Sequence, residues 1–120
     1  MRQDMDGKPI DVVPKHHPFS TTDWNTIAPT IHAGESGEAR WRTKHIGTLR
    51  LRQVEYTPGY LADHWCTRGH VLLVLKGELR TELDDGRVVT LHAGQSYEVA
   101  TGQEAHRSST TTGATLFIVD

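Results

Sequence analysis

Apolar and polar residues alternate through much of this chain, and no stretch sustains the 3.6-residue period of a long helix. Arg40-Trp41-Arg42-Thr43 and Thr48 to Tyr56 read as half-buried strands. In the second run Leu49, Leu51 and Gln53 share one face, and Arg50, Arg52, Val54 and Tyr56 share the other. Thr57-Pro58-Gly59 ends it with turn chemistry. Val71 to Leu75 is the most hydrophobic run; apolar on both faces, it is expected between two sheets or at a subunit interface. Lys76-Gly77-Glu78 marks a bend, and Leu79 to Leu83 alternates again. Asp84-Asp85-Gly86-Arg87 predicts a hairpin with a primed turn, because Asp-Gly tolerates positive φ. Val88 to Leu91 is the return strand, and Ser96 to Val99 is another. Thr101 to Ala105 forms a loop that delivers His106, and Leu116 to Val119 closes the barrel as a buried, continuously apolar strand.

The N-terminal part has a different texture. Residues 1–18 are polar, hold three of the five prolines and show no periodicity, which predicts a flexible arm, disordered or draped over a partner subunit. Ser20 to Asp23 has capping-box spacing and predicts one helical turn over Thr21 to Asn25, anchored by Trp24 and Ile27. Ala33 to Glu38 is a turn-rich loop. Short strands spaced by about ten residues, punctuated by Gly and Asp, define an all-β sandwich or barrel over residues 19–120.

Composition narrows the class. At 120 residues the chain suits a single domain with a modest core. Its 13 basic and 15 acidic residues give a net charge of -2, so neither nucleic acid nor a membrane surface is an expected partner. One cysteine excludes an intrachain disulfide, and the first ten residues contain no apolar signal core, so a cytoplasmic protein is expected. No nucleophile elbow, phosphate-cradling glycine loop or dinucleotide fingerprint is present, which argues against hydrolase, kinase and dehydrogenase classes.

Chemistry concentrates just ahead of the apolar run, where His64, Cys66 and His70 fall within seven residues. His64 and Cys66 are two apart, so an extended strand would point both to one face and send Asp63 and Trp65 to the other. Thr67-Arg68-Gly69 supplies a turn or bulge in which Gly69 is free to take a positive φ. His106 is a fourth candidate. Each has a bland alternative: a single histidine is more often hydrogen-bonded than metal-bound, and a buried cysteine is usually an inert small hydrophobe. The His16-His17 pair reads as solvated, His92 as structural beside a turn, and His32 and His45 have no evident partner. Tyr60, Arg52 and Glu98 are weaker candidates for a pocket wall.

These residues resemble a pattern of the cupin superfamily, small barrels of jelly-roll type. The cupin first motif places Gly before His-x-His, then a Glu, then a Gly. Here Gly59, His64-Trp65-Cys66, His70 and Gly77 stand in that order, with Cys66 for the second His and His70 for the Glu. Gly94, Ala100-Thr101-Gly102 and His106 match the second motif, with Ala for Pro and one extra residue before the His. Glu55 to Tyr60, Lys76 to Leu79 and Ala105 to Ser109 resemble a bacterial branch named for an Asp-His-Cys-Trp motif, although this chain reads Asp63-His64-Trp65-Cys66. The branch lends a fold and ligand positions but no reaction. The resemblance implies one divalent transition metal per chain, held by His64, Cys66, His70 and His106, and a homodimer as the assembly.

The departures have chemical consequences. A thiolate among imidazoles favours zinc, and four such ligands would close the site for a structural or sensing role. If Cys66 is not a ligand, three histidines leave open positions suited to iron, nickel or manganese and to oxygen chemistry or an activated water. Three readings therefore stay open: a metal-dependent enzyme on a small molecule, a non-catalytic metal or redox sensor, and a structural barrel.

Overall fold

A computed structural model describes residues 11–120, and the first ten positions of the expected arm lie outside the described residues. Eight antiparallel strands carry the fold: β1 (Thr30–Ala33), β2 (Glu38–Ile46), β3 (Leu49–Tyr56), β4 (His70–Leu83), β5 (Val88–His92), β6 (Ser96–Val99), β7 (His106–Ser109) and β8 (Ala114–Val119). They pair in the order β1-β2-β3-β8-β4-β5, with β6 and β7 also pairing with β4. The first part of β4 pairs with β8 and β6, and its second part with β5 and β7. One strand thus belongs to both sheets of the jelly roll, and the all-β expectation holds.

What permits this is a bulge. The β4–β8 register runs Leu72↔Ile118 and Val74↔Leu116, then jumps to Lys76↔Thr115 and Gly77↔Ala114, leaving Leu75 as the extra residue. Before it, Leu72 and Val74 point into the core; after it, Leu79 and Thr81 do. The spacing from Val74 to Leu79 is odd, so without the extra residue Lys76, Glu78 and Arg80 would take the inward positions. The bend expected at Lys76-Gly77-Glu78 is therefore an irregularity inside one strand, not a break between two. Gly77 sits there at φ +83°, and a Cβ on it would lie 2.2 Å from the Gly113 carbonyl oxygen.

Other expectations are corrected by local geometry. Val71 to Leu75 is buried on one face only: Leu72 and Val74 are core, while Val71 is 53 %, Leu73 37 % and Leu75 45 % exposed. In β8, Ala114, Leu116 and Ile118 are buried and Phe117 and Val119 only half so, because a strand between two neighbours still has an outer face. The helical turn is a 3₁₀ turn at Trp24–Thr26, capped by the Asp23 carboxylate accepting from the Asn25 amide, so Asp23 and not Ser20 provides the cap. Trp24 meets Phe117 edge-on at 5.5 Å. The hairpin at residues 84–87 forms, but only Gly86 has positive φ, which excludes the two-positive-φ primed turn. Gly69 is needed for close approach and not for φ, since a Cβ there would lie 2.4 Å from the Thr101 nitrogen. β1 was not foreseen, because all four of its residues are exposed and no alternation marks it. Among the described residues no helix is long and apolar enough to cross a membrane.

Gly77→Ala is expected to destabilise the protein by about 2 kcal/mol or more, from a disfavoured φ combined with a backbone clash. Gly86→Ala meets no atom within 4 Å and should cost only the φ strain. Urea denaturation of the two variants beside the parent would measure the difference; equal losses would remove the special role of the bulge.

Candidate functional site

The inner faces of the two sheets enclose a cavity of about 290 Å³. All four residues singled out as metal ligands line it, but each arrives differently. His70 opens β4, and its inward position follows from sharing a face with Leu72. His106 opens β7, opposite Leu83. Cys66 is held against His106 by a two-way backbone bridge, with N···O distances of 2.8 and 3.0 Å. His64 lies in a bend, so the extended strand expected for His64 and Cys66 is not formed. Its Nδ1 meets the Asp63 carboxylate at 2.6 Å on the exposed rim. That hydrogen bond holds the Asp63 carboxyl below its ordinary range. Trp65 faces outward as expected, with the Arg107 guanidinium 5.0 Å above its ring.

The inner part of the site is an imidazole pair. The His70 and His106 ring centroids lie 5.0 Å apart and nearly perpendicular. His106 is buried, and its Nδ1–H donates to the Glu104 carbonyl at 3.0 Å, which leaves Nε2 with the lone pair. Glu104 is itself tied through its carboxylate to Arg87 of the β4–β5 hairpin. His70 Nε2 meets the Tyr97 hydroxyl at 2.9 Å. Burial, with His106 beside it, pushes His70 down to about 4, so the ring is neutral near pH 7. His70 Nδ1 and His106 Nε2 are both buried with no hydrogen-bond partner.

The other wall carries guanidinium groups. Arg50, Arg52, Val54 and Tyr56 form the inward face of β3, so the more charged of its two faces turns to the interior. Arg52 is 6 % exposed, lies 4.4 Å over the Trp41 ring, and reaches Asp120 with Nη2 at 3.3 Å. Arg50 grips the same Asp120 carboxylate bidentately at 2.8 and 2.7 Å, and Arg68 joins at 2.9 Å. The Asp120 side chain is 2 % exposed. Burial alone would raise its carboxyl, but the Arg50 hydrogen bond and the three positive charges overcome this and hold it below the ordinary carboxylate range. Tyr56 and Tyr60 stack at 4.2 Å, and burial pushes both phenols up.

Sequence reasoning reached Tyr60 and Arg52 as pocket-wall candidates, and both line the cavity. Glu98 does not; it faces outward opposite Val71. Arg50, Arg68, Arg107, Tyr56 and Trp41 were missed as lining residues. The alternation of β3 was visible, but charge on a strand normally marks the solvent face. Among the described residues no three His, Cys, Asp or Glu side chains stand close enough together to hold a metal ion. The donor chemistry nonetheless fits one in part: two imidazoles, each with a buried nitrogen that has no partner, and a thiol border one cavity.

The comparisons with known proteins concern the fold. No protein-family model matches the chain, and no curated protein matches it significantly. Many solved structures do. A predicted oxalate decarboxylase from Thermotoga maritima superposes with TM-score 0.72 at 17 % identity, over 83 % of this chain and 96 % of that one. Ectoine synthase from P. lautus gives TM-score 0.69 at 15 % identity, over 84 % and 76 %. An RmlC-like cupin from Shewanella frigidimarina gives 0.65 at 19 % identity, over 85 % and 89 %. The chain has the cupin fold. These likenesses carry the jelly roll and do not reach the narrower Asp-His-Cys-Trp branch.

Asp120→Asn leaves three arginines without their shared counter-charge and is expected to cost about 3 kcal/mol near neutral pH. Because the folded carboxyl is depressed, its contribution is present above the unfolded value of about 4 and is lost as pH falls below it. The parent should therefore lose more stability than Asp120→Asn between pH 5 and 2 in thermal melts, a range of about one Asp titration. Parallel acid profiles would contradict the ion cluster.

Proposed function

We propose that this chain is a small-molecule cupin that holds one divalent transition metal at His70 and His106, with Cys66 and His64 completing the donor set. The observation that carries the reading is where the unpaired polar atoms fall. Among the described residues five buried side-chain nitrogen or oxygen atoms lack a hydrogen-bond partner: Arg52 Nε, His70 Nδ1, Thr81 Oγ1, His106 Nε2 and Arg107 Nε. Four of these belong to residues lining the one cavity. A buried unpaired polar group costs about 1–3 kcal/mol, so such a concentration marks a place where something else supplies the partners.

His106 is prepared as a ligand, since its Nδ1–H is fixed on a backbone carbonyl and Nε2 points to the free side. His64, with Nδ1 on the Asp63 carboxylate, would offer Nε2, and the Cys66 thiol would have to ionise. With Cys66 bound, zinc is favoured; without it, iron, nickel or manganese. A metal there would supply Lewis-acid or oxygen chemistry to a small molecule in the cavity. The non-catalytic sensing reading shares the same ligands and differs only in the absence of turnover. A cytoplasmic setting, in which Cys66 stays reduced, belongs to the same proposal.

Elemental analysis of untagged protein and cobalt(II) titration test the site. About one metal per chain is expected, lost in His70→Ala and in His106→Ala. A thiolate-to-cobalt charge-transfer band that disappears in Cys66→Ser would assign the thiol as a ligand. Metal at a hundredfold excess over its Kd should stabilise the fold by about 2.7 kcal/mol. No metal in the parent, or undiminished metal in both histidine variants, would overturn the reading.

A homodimer is the assembly we propose, on the evidence of the outer face of β4. Val71 and Leu73 stand exposed opposite Val119 and Phe117, so four apolar residues form a ridge that Trp24 covers only at Phe117. Sedimentation should show a dimer at micromolar concentration and a folded monomer for Leu73→Glu. A monomeric parent would refute it.

A further inference from the structure

The arginine wall of the cavity has a consequence of its own, separate from any metal. Among the described residues four guanidinium groups, of Arg50, Arg52, Arg68 and Arg107, border the cavity, and no aspartate or glutamate does. Asp120, just behind this wall, shares one carboxylate among Arg50, Arg52 and Arg68, so the cluster keeps an excess of positive charge. Arg107 has its own counter-ion in Glu82 at 3.6 Å. Within the cluster Arg52 differs from its neighbours. It is more than nine-tenths buried, meets Asp120 only through Nη2, and keeps Nε buried without any partner. Arg50, by contrast, spends its fork on Asp120 with both Nε and Nη2.

We propose that the ligand of this cavity is a small organic carboxylate, anchored by the Arg52 guanidinium. The inference rests on reading this cavity as a small-molecule site, and it adds the chemical class. A buried donor fork matches the planar two-oxygen geometry of a carboxylate. The remaining wall suits the organic remainder: the stacked Tyr56 and Tyr60 rings and the Leu72 and Ile118 side chains give it faces for apolar contact. A cavity of about 290 Å³ is of the size that takes a small organic molecule. Arg52 is a binding and specificity residue in this scheme, and the imidazole pair lies on the opposite strands of the same cavity.

Isothermal titration of the full chain with succinate and benzoate, against succinamide, benzamide and inorganic phosphate, tests it. The carboxylates should bind at least tenfold more tightly than their uncharged amides and than phosphate. Arg52→Gln should lose tenfold or more of that affinity, and Arg52→Lys, which keeps the charge but not the fork, should lose most of it as well. Should Arg52→Gln not fold, Arg52→Lys carries the comparison. Equal binding of acids and amides, or undiminished binding in Arg52→Lys, overturns the proposal; phosphate binding as tightly as the acids would reduce it to general anion attraction and overturn it too. Cobalt(II) uptake measured on the same variants separates the two readings. Loss of carboxylate binding with metal retained supports Arg52 as the anchor, whereas carboxylate binding by a parent that takes no metal leaves this inference standing and removes the metal site.

Discussion

The extra residue in β4 is the constraint on which the rest of the molecule depends. A straight 14-residue strand would span roughly 40 Å at ordinary strand rise. His70 begins this strand, and His106 pairs with Leu83 at its far end, yet the two rings lie 5.0 Å apart. Only a strand bent around the cavity brings its own ends together in this way, and the bulge at Leu75 with Gly77 at positive φ bends it. The same residue resets the side-chain parity. The core members Leu72 and Val74 give way to Leu79 and Thr81, and the charged residues between them stay in solvent. Curvature, core and site therefore share one local cause, in which the close approach of Gly77 to the Gly113 carbonyl leaves no room for a side chain.

This explains which parts of the fold could be read from the sequence. Period-two alternation identified β3, part of β2 and the Leu79 to Leu83 part of β4, and the Asp85-Gly86 pair located the hairpin with its return strand β5, because these signals are local. His70 and His106 were placed on the cavity because they stand in the order that resembles the cupin motifs. The route of β4 through both sheets was not legible, since a Lys-Gly-Glu triplet is equally suited to a turn and to a bulge. Nor was β7, whose buried members are His106 and Ser108, polar residues that no hydropathy pattern would send inward. β1 has no buried side chain at all, and it is held by backbone pairing with β2 and by the His32 ring stacked on Trp41 at 3.9 Å.

Of the arginine wall only Arg52 was reached, as a weaker candidate, and Arg50, Arg68 and Arg107 were missed for a related reason. On β3 the hydrophobic rule assigns Leu49 and Leu51 to the interior and Arg50 and Arg52 to solvent. The structure reverses this, with Arg52 buried and Leu51 half-exposed. The reversal is stable because Asp120 meets Arg50, Arg52 and Arg68 together and the Trp41 ring lies against the Arg50 and Arg52 guanidinium groups. A sequence that breaks a local rule in this way usually does so at a functional position.

The cavity has two chemically distinct walls. Imidazoles with unpartnered buried nitrogens stand on the β4, β6 and β7 side, and guanidinium donors stand on the β3 side. Each unpaired buried atom costs about 1–3 kcal/mol, and the same volume could be filled with leucine or valine. The two walls also ask for opposite partners: lone pairs accept from a cation or a proton, while guanidinium N–H groups donate to an anion. A cation on the imidazole side together with a carboxylate bridging to the guanidinium side, the two guests proposed above, would satisfy both.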